Sequence, residues 1–112
     1  MVTRQRKFTL TKAEILSGRD NFKEIFEKGK LIHGQFTIVF YFPANGKKVG
    51  FVVSKTEKKA VRRNRLKRMM REIYRLNKSK FPDGFHYALL AKGTCDDYYC
   101  LEKEILNLVG KI

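Results

Sequence analysis

The stretch from about Lys58 to Asn77 must be a helix with two unlike faces. At about 100° per residue, Leu66, Met69, Met70, Ile73 and Leu76 fall in one apolar arc. Asn64, Arg68, Arg71 and Arg75 fall nearly opposite, with Lys67 at the edge of that stripe. Such a segment has to bury its apolar side against a sheet or another helix, and its other side then stands in water. Spacings of 4, 3 and 4 put the polar stripe in a line roughly 16 Å long.

The charge on that helix is unbalanced. From Lys55 to Lys80 the chain holds twelve of its 25 Lys and Arg and only two acids, Glu57 and Glu72, so that +10 of the net +14 lies in this window. A solvated helix face usually mixes signs to gain i,i+4 pairs. Here Glu72 is the single acid among the bases from Arg62 to Arg75, with Lys58 and Lys59 just before them. Like charges crowded this closely destabilise the helix unless a polyanion neutralises them. Focused positive charge is what phosphate-binding surfaces carry, because each neutralised phosphate releases counterions. Arginine suits the task, since its planar fork grips phosphate bidentately and stacks on bases.

A length of 112 residues predicts one domain, and a hydrophobic fraction of 43% with nine Phe and five Tyr supports a packed core rather than a disordered basic tail. A pI near 10.0 leaves nucleic acid, an anionic membrane surface or an acidic protein as partners. The longest apolar run, Phe36 to Phe42, is far short of the roughly 20 residues that span a bilayer, and no apolar stretch follows Arg4, Arg6 and Lys7 to make a secretory signal. Two cysteines, Cys95 and Cys100, make no disulfide framework, so a cytoplasmic protein with reduced thiols is expected.

Residues 1–14 read as a flexible basic arm, with Phe8 and Leu10 alternating around Thr9 as a short strand or ordered segment. Asp20 opens a short helix with Phe22, Ile25 and Phe26 at i, i+3, i+4, and Gly29 stops it. Phe36 to Phe42 is a β-branched and aromatic strand, followed by the turn residues Pro43 to Lys48 with an Asn-Gly pair. Val49 to Ser54 is a second strand, expected to pair with the first as an antiparallel hairpin. After the basic helix, Pro82-Asp83-Gly84 resets the chain, Phe85 to Ala91 is another strand, and Leu101, Ile105, Leu108 and Val109 mark a last helix. The order is α-β-β-α-β-α, an α+β fold with helices packed on a small sheet.

Ala60-Val61-Arg62-Arg63-Asn64-Arg65-Leu66-Lys67-Arg68, followed by Arg71-Glu72, resembles the signature of the bacterial ribonuclease P protein subunit, whose pattern runs Ala-Val-x-Arg-Asn-Arg-hydrophobic-Lys-Arg and then Arg-Glu. Asp20-Asn21-Phe22 through Ile25-Phe26 to Gly29 is similar to that family's first helix, with one residue inserted after the Asp. Val49 to Lys55 resembles the strand Val-Gly-hydrophobic-x-Val-Ser-Lys that feeds the signature, and Phe85 to Lys92 the strand ending in Ala-Lys or Ala-Arg. The likeness runs from about residue 14 to the end. Between strand and helix the family usually has Lys-Lys-x-Gly. Here Thr56 and Lys58 stand at the second Lys and the Gly, removing one phosphate contact and adding another charge.

The resemblance implies a small α/β sandwich of about four strands and three helices, with a left-handed strand-helix-strand crossover against the usual rule. It implies that the catalyst is an RNA, and that the protein is a monomer in a one-to-one complex with it. The protein would bind precursor tRNA and help cleave the 5′ leader to give the mature tRNA end. Lys55, Lys58, Lys59, Arg62, Arg63, Asn64, Arg65, Lys67, Arg68, Arg71 and Arg75 are the expected RNA-binding residues. Phe22, Phe26 and Phe40 would line a cleft for the leader, as aromatics beside a basic groove do for single-stranded RNA. The same Phe22 and Phe26 could equally be core. Phe40 depends on which parity of the first strand faces the cleft.

No catalytic residue or protein-held metal is expected, and Mg2+ would act through the RNA. Asp96-Asp97 is the one adjacent acidic pair and reads as a loop or helix N-terminus. His33 and His86 lack ligand partners at metal spacing, and Cys95 with Cys100 is not a zinc pattern. Two other functions fit the charge: a basic ribosomal-type RNA-binding protein without enzymatic context, and a DNA-binding module. The packed apolar stripe and the lack of a preceding helix-turn element stand against DNA, and no membrane partner is expected.

Overall fold

The structure, a computed structural model, describes residues 14–16 and 18–112. The basic arm and the alternation around Thr9 lie outside the described residues. Among the described residues are helices α1 (Arg19–Lys28), α2 (Ala60–Leu76) and α3 (Tyr98–Val109), and strands β1 (Lys30–His33), β2 (Thr37–Pro43), β3 (Lys48–Val53) and β4 (Phe85–Ala91). A 3-10 turn at Lys78–Lys80 follows α2. β1 was not anticipated, so the order is α-β-β-β-α-β-α. Four residues are too few for a periodic signal, and β1 exists because it pairs Lys30 to His33 against Tyr41 to Ile38.

The expected hairpin does not form. The sheet runs β1-β2-β4-β3, with β4 antiparallel to β2 and parallel to β3. β4 lies between them with both of its edges paired. Its Tyr87, Ala88 and Leu89 are buried on both faces because helices cover the sheet above and below, the setting that suits a continuous apolar strand. The Asn45-Gly46 turn is present, with Gly46 at φ 84°, but it arches over the start of β4, where Ala44 N–H donates to Gly84 at 2.9 Å. Two strand spacings of about 4.8 Å each are within reach of this short loop.

Helices cover both faces of the sheet. Val39, Val49, Val53, Tyr87, Leu89 and Ala91 point to the side where α2 and α3 pack, joined there by Leu66, Met70, Ile73, Tyr74, Leu101, Ile105, Leu108 and Val109. On the other side Leu16, Ile25 and Ala88 form a smaller cluster with Phe22, Phe40 and Phe42 under α1. The parity of β2 is thereby set: odd positions face α2 and α3, and even positions face α1. Burial of each large side chain in α2 contributes about 1.5–3 kcal/mol. Leu66→Ala would cost about 2–5 kcal/mol by leaving a cavity.

The apolar arc of α2 is turned slightly from expectation. Leu76 is 44% exposed, and Tyr74 is fully buried in its stead, edge-on to Phe81 with ring centroids 4.9 Å apart. The helix ends where Asn77 Nδ2 donates back to the Ile73 carbonyl at 2.8 Å. Gly29 does close α1, but in extended backbone at φ −76°. Its lack of a side chain matters for space: a Cβ there would stand 2.5 Å from the Ile25 carbonyl oxygen and 2.9 Å from that of Tyr41.

Candidate nucleic-acid interface

Twelve bases in one window do not all face outward. Arg62 pairs with Glu57 and with Asp96, the latter at 2.9 Å, and donates to the Gly93 carbonyl at 2.6 Å. Arg63 donates to the carbonyls of Ser54 and Glu57 and holds the loop that leads from β3 into α2. Arg75 clasps the Glu72 carboxylate through Nε and Nη2, and that hydrogen bond keeps the Glu72 carboxyl below its ordinary range. Arg62 and Arg63 are thus tied to neighbouring loops, whereas the Arg75 pair stays on the surface of its own helix. Lys55, Lys58, Lys59, Asn64, Arg65, Lys67, Arg68 and Arg71 are exposed. Lys58 and Lys59 also stand at the N-terminus of α2, whose first turn holds no acid although the helix dipole favours negative charge there.

Asn64, Lys67, Arg68 and Arg71 form one wall of a cleft of about 450 Å3. Ile15, Leu16, Gly18, Phe22 and Phe51 make up the rest of its lining. The cleft lies along the outer edge of β3, where Leu16 N–H donates to the Val49 carbonyl at 2.9 Å and carries the chain towards α1. Phe22 is shared with a second, shallower concavity of about 590 Å3 whose other lining residues are Lys23, Phe26, Glu27 and Val52. The two together make a trough with a basic wall on α2 and an aromatic floor on α1.

The three predicted cleft aromatics meet. Phe22 and Phe26 are 6.0 Å apart and nearly parallel at 27°, and Phe26 meets Phe40 edge-on at 4.8 Å. Phe22 is half-buried, whereas Phe26 keeps 39% of its surface exposed. The proximity of Phe22 to β3 depends on Gly50, where any Cβ would run into the ring's Cζ and Cε1 atoms. Phe51, Ile15 and Leu16 were not singled out from the sequence. Gly50 inside a strand was the available signal, since such a glycine marks close approach.

The acids are placed for structure. Asp97 caps α3 by accepting from Cys100 N–H at 3.1 Å, and Asp96 takes Arg62. Glu104 gathers the N–H groups of Gln35, Phe36 and Thr37 and the Thr37 hydroxyl, at 2.6–2.9 Å. Among the described residues no three His, Cys, Asp or Glu side chains stand together as a metal site. Burial lowers the pKa of His86, and Lys48 acts in the same direction. Both cysteines are free thiols. No described helix is long and apolar enough to cross a membrane.

A family model described as Ribonuclease P matches residues 10–112. The ribonuclease P protein component of Thermotoga maritima is 34% identical over 113 residues, covering 93% of this chain and 96% of that protein. The solved structure of the T. maritima RNase P protein aligns with a TM-score of 0.79 at 32% identity, covering 88% of this chain and 97% of that one. The Staphylococcus aureus RNase P protein shares the fold, with a TM-score of 0.76 at 21% identity over 88% of this chain and 94% of that one. The signature on α2, the three-helix, four-stranded fold and these likenesses agree: the chain belongs to the ribonuclease P protein family.

Proposed function

We propose that this chain is the accessory protein subunit of a ribonuclease P, in which an RNA carries out the cleavage that matures tRNA 5′ ends. The observation that carries this reading is the trough itself, where Asn64, Lys67, Arg68 and Arg71 line the same cleft as Phe22. An extended leader can lay phosphates against the α2 wall and bases against Phe22 and Phe26, with Phe40 buttressing Phe26 from the sheet. Lys55, Lys58, Lys59 and Arg65 then extend the basic surface towards the catalytic RNA.

Arg62 and Arg63 support this surface from within the fold, while Arg75, held by Glu72 on the outward stripe, continues it towards the end of α2. Mg2+ serves through the RNA, and the protein acts by binding, as one copy per RNA. Family membership separates this reading from a ribosomal-type protein or a DNA-binding module, which the charge alone does not. Reconstitution is the direct test. Added to a bacterial ribonuclease P RNA at low magnesium, the protein should restore production of mature tRNA 5′ ends, while purified protein alone should cut nothing. Cleavage by RNA-free protein, or no gain on adding it to the RNA, would refute the assignment.

A further inference from the structure

α2 has a second hollow, on the flank facing α3. It measures about 250 Å3 and is lined by Arg68, Met69, Glu72 and Tyr98. Tyr98 and Tyr99 open α3 with ring centroids 5.4 Å apart and planes crossed at 85°. Tyr98 packs against the main core, but Tyr99 keeps 75% of its surface exposed. A tyrosine so placed contributes little to folding and presents a whole aromatic face to solvent.

The acids on this flank already have partners. Glu72 holds Arg75, Asp96 holds Arg62, Asp97 caps α3, and Glu102 accepts from Asn77 at 3.2 Å. Arg65 approaches Asp96 only to 3.9 Å with 63% of its side chain exposed, and Arg68 is also exposed. Arg68 lines the hollow and Arg65 stands one turn before it on α2, while Tyr99 meets the hollow's Tyr98 wall. The flank therefore offers two outward guanidinium groups and, one ring beyond the hollow, an unused aromatic face. That combination fits a nucleotide whose base is free to stack, and a duplex would hide the base.

We propose that an unpaired nucleotide of the ribonuclease P RNA binds across this hollow, with the base on Tyr99 just beyond its Tyr98 wall and the flanking phosphates at Arg65 and Arg68. The proposal rests on the ribonuclease P reading above. It assigns the site to the catalytic RNA because the leader trough lies on the other flank of α2. Arg68 lines both hollows and forms the crest between them, so a leader lying against Phe22 would have to climb over the helix to reach Tyr99.

Filter binding of a bacterial ribonuclease P RNA transcript at several salt concentrations tests this, using the wild-type chain, Tyr99→Ala and Tyr99→Phe. Tyr99→Ala should bind roughly ten-fold more weakly, and Tyr99→Phe, which keeps the ring, within about two-fold of wild type. Stacking releases no counterions, so the salt slope should not change. Melting temperature and the preference for precursor over mature tRNA should also hold. Tyr99→Ala binding the RNA within about two-fold of wild type would overturn the proposal. So would a lost precursor preference with unchanged RNA affinity, which would give Tyr99 to the leader. If the wild-type chain itself fails to bind the transcript, the ribonuclease P reading falls first and this proposal with it. A photocrosslinker at position 99 gives an independent check: it should capture the ribonuclease P RNA, and capture of precursor tRNA alone would count against the site.

Discussion

The Arg63 guanidinium donates from Nη1 to the Glu57 carbonyl oxygen at 2.9 Å, reaching back across the loop that delivers α2 from β3. The other arginine of Arg63-Asn64-Arg65 points to solvent. Two arginines two residues apart thus have separable roles. Arg63→Ala should lower folding stability by about 1.5–3 kcal/mol, the scale for hydrogen bonds from a charged donor. Arg65→Ala should leave melting unchanged and weaken RNA binding. Thermal melts and RNA titrations on both variants check this, and equal effects of the two on both readouts would remove the distinction.

Salt dependence reports how many bases meet phosphate. If five or six of the exposed set Lys55, Lys58, Lys59, Arg65, Lys67, Arg68 and Arg71 do so, log Kd against log salt should have a slope of magnitude about 4–5. Arg68→Ala or Arg71→Ala should each reduce that magnitude by about 0.9, whereas Arg62→Ala should destabilise the protein with little change in slope. A slope near zero for the wild type would leave the charge without a nucleic-acid role.

The aromatic floor can be perturbed without touching charge. Phe26, the more exposed ring, should on change to Ala reduce the preference for precursor over mature tRNA by about ten-fold at a modest cost in melting temperature. Gly50→Ala should act in the same direction by pushing the Phe22 ring off β3. If Phe26→Ala lowers melting sharply but leaves the precursor preference intact, these phenylalanines belong to the core alone.

Glu104 makes the fold acid-sensitive. Burial works against its ionisation, but the Thr37 hydroxyl and the three backbone N–H donors outweigh that and hold its carboxyl below the ordinary 4.5. A depressed folded-state pKa stabilises the protein above the unfolded value, and that stabilisation is lost as pH falls through the folded value. Glu104→Gln should cost about 2 kcal/mol at neutral pH, or roughly 10 °C in melting temperature. The gap to wild type should narrow as pH falls below the ordinary 4.5 and the carboxylate takes up its proton, so a gap that does not change on acidification would contradict the account.

Much of this was determined by local sequence. The position and two-faced character of α2, the stop at Gly29, the span of β4 and the apolar side of α3 all follow from short-range periodicity and turn chemistry. So does the polyanion-binding character, because charge density needs no tertiary information. The tertiary structure decided which strand lies beside which. Phe36 to Phe42 and Val49 to Ser54 read as a hairpin because they are neighbours in sequence, yet β4 lies between them, antiparallel to one and parallel to the other, a pairing set by contacts more than thirty residues apart. Tyr74 rather than Leu76 entered the core because Phe81 lies where a ring can meet it edge-on. The arginines were sorted the same way: Arg62 turned inward because Glu57 from one loop and Gly93 and Asp96 from another converge on it. A side chain's partner across the fold is a long-range fact, and a residue's own neighbours in sequence carry no record of it.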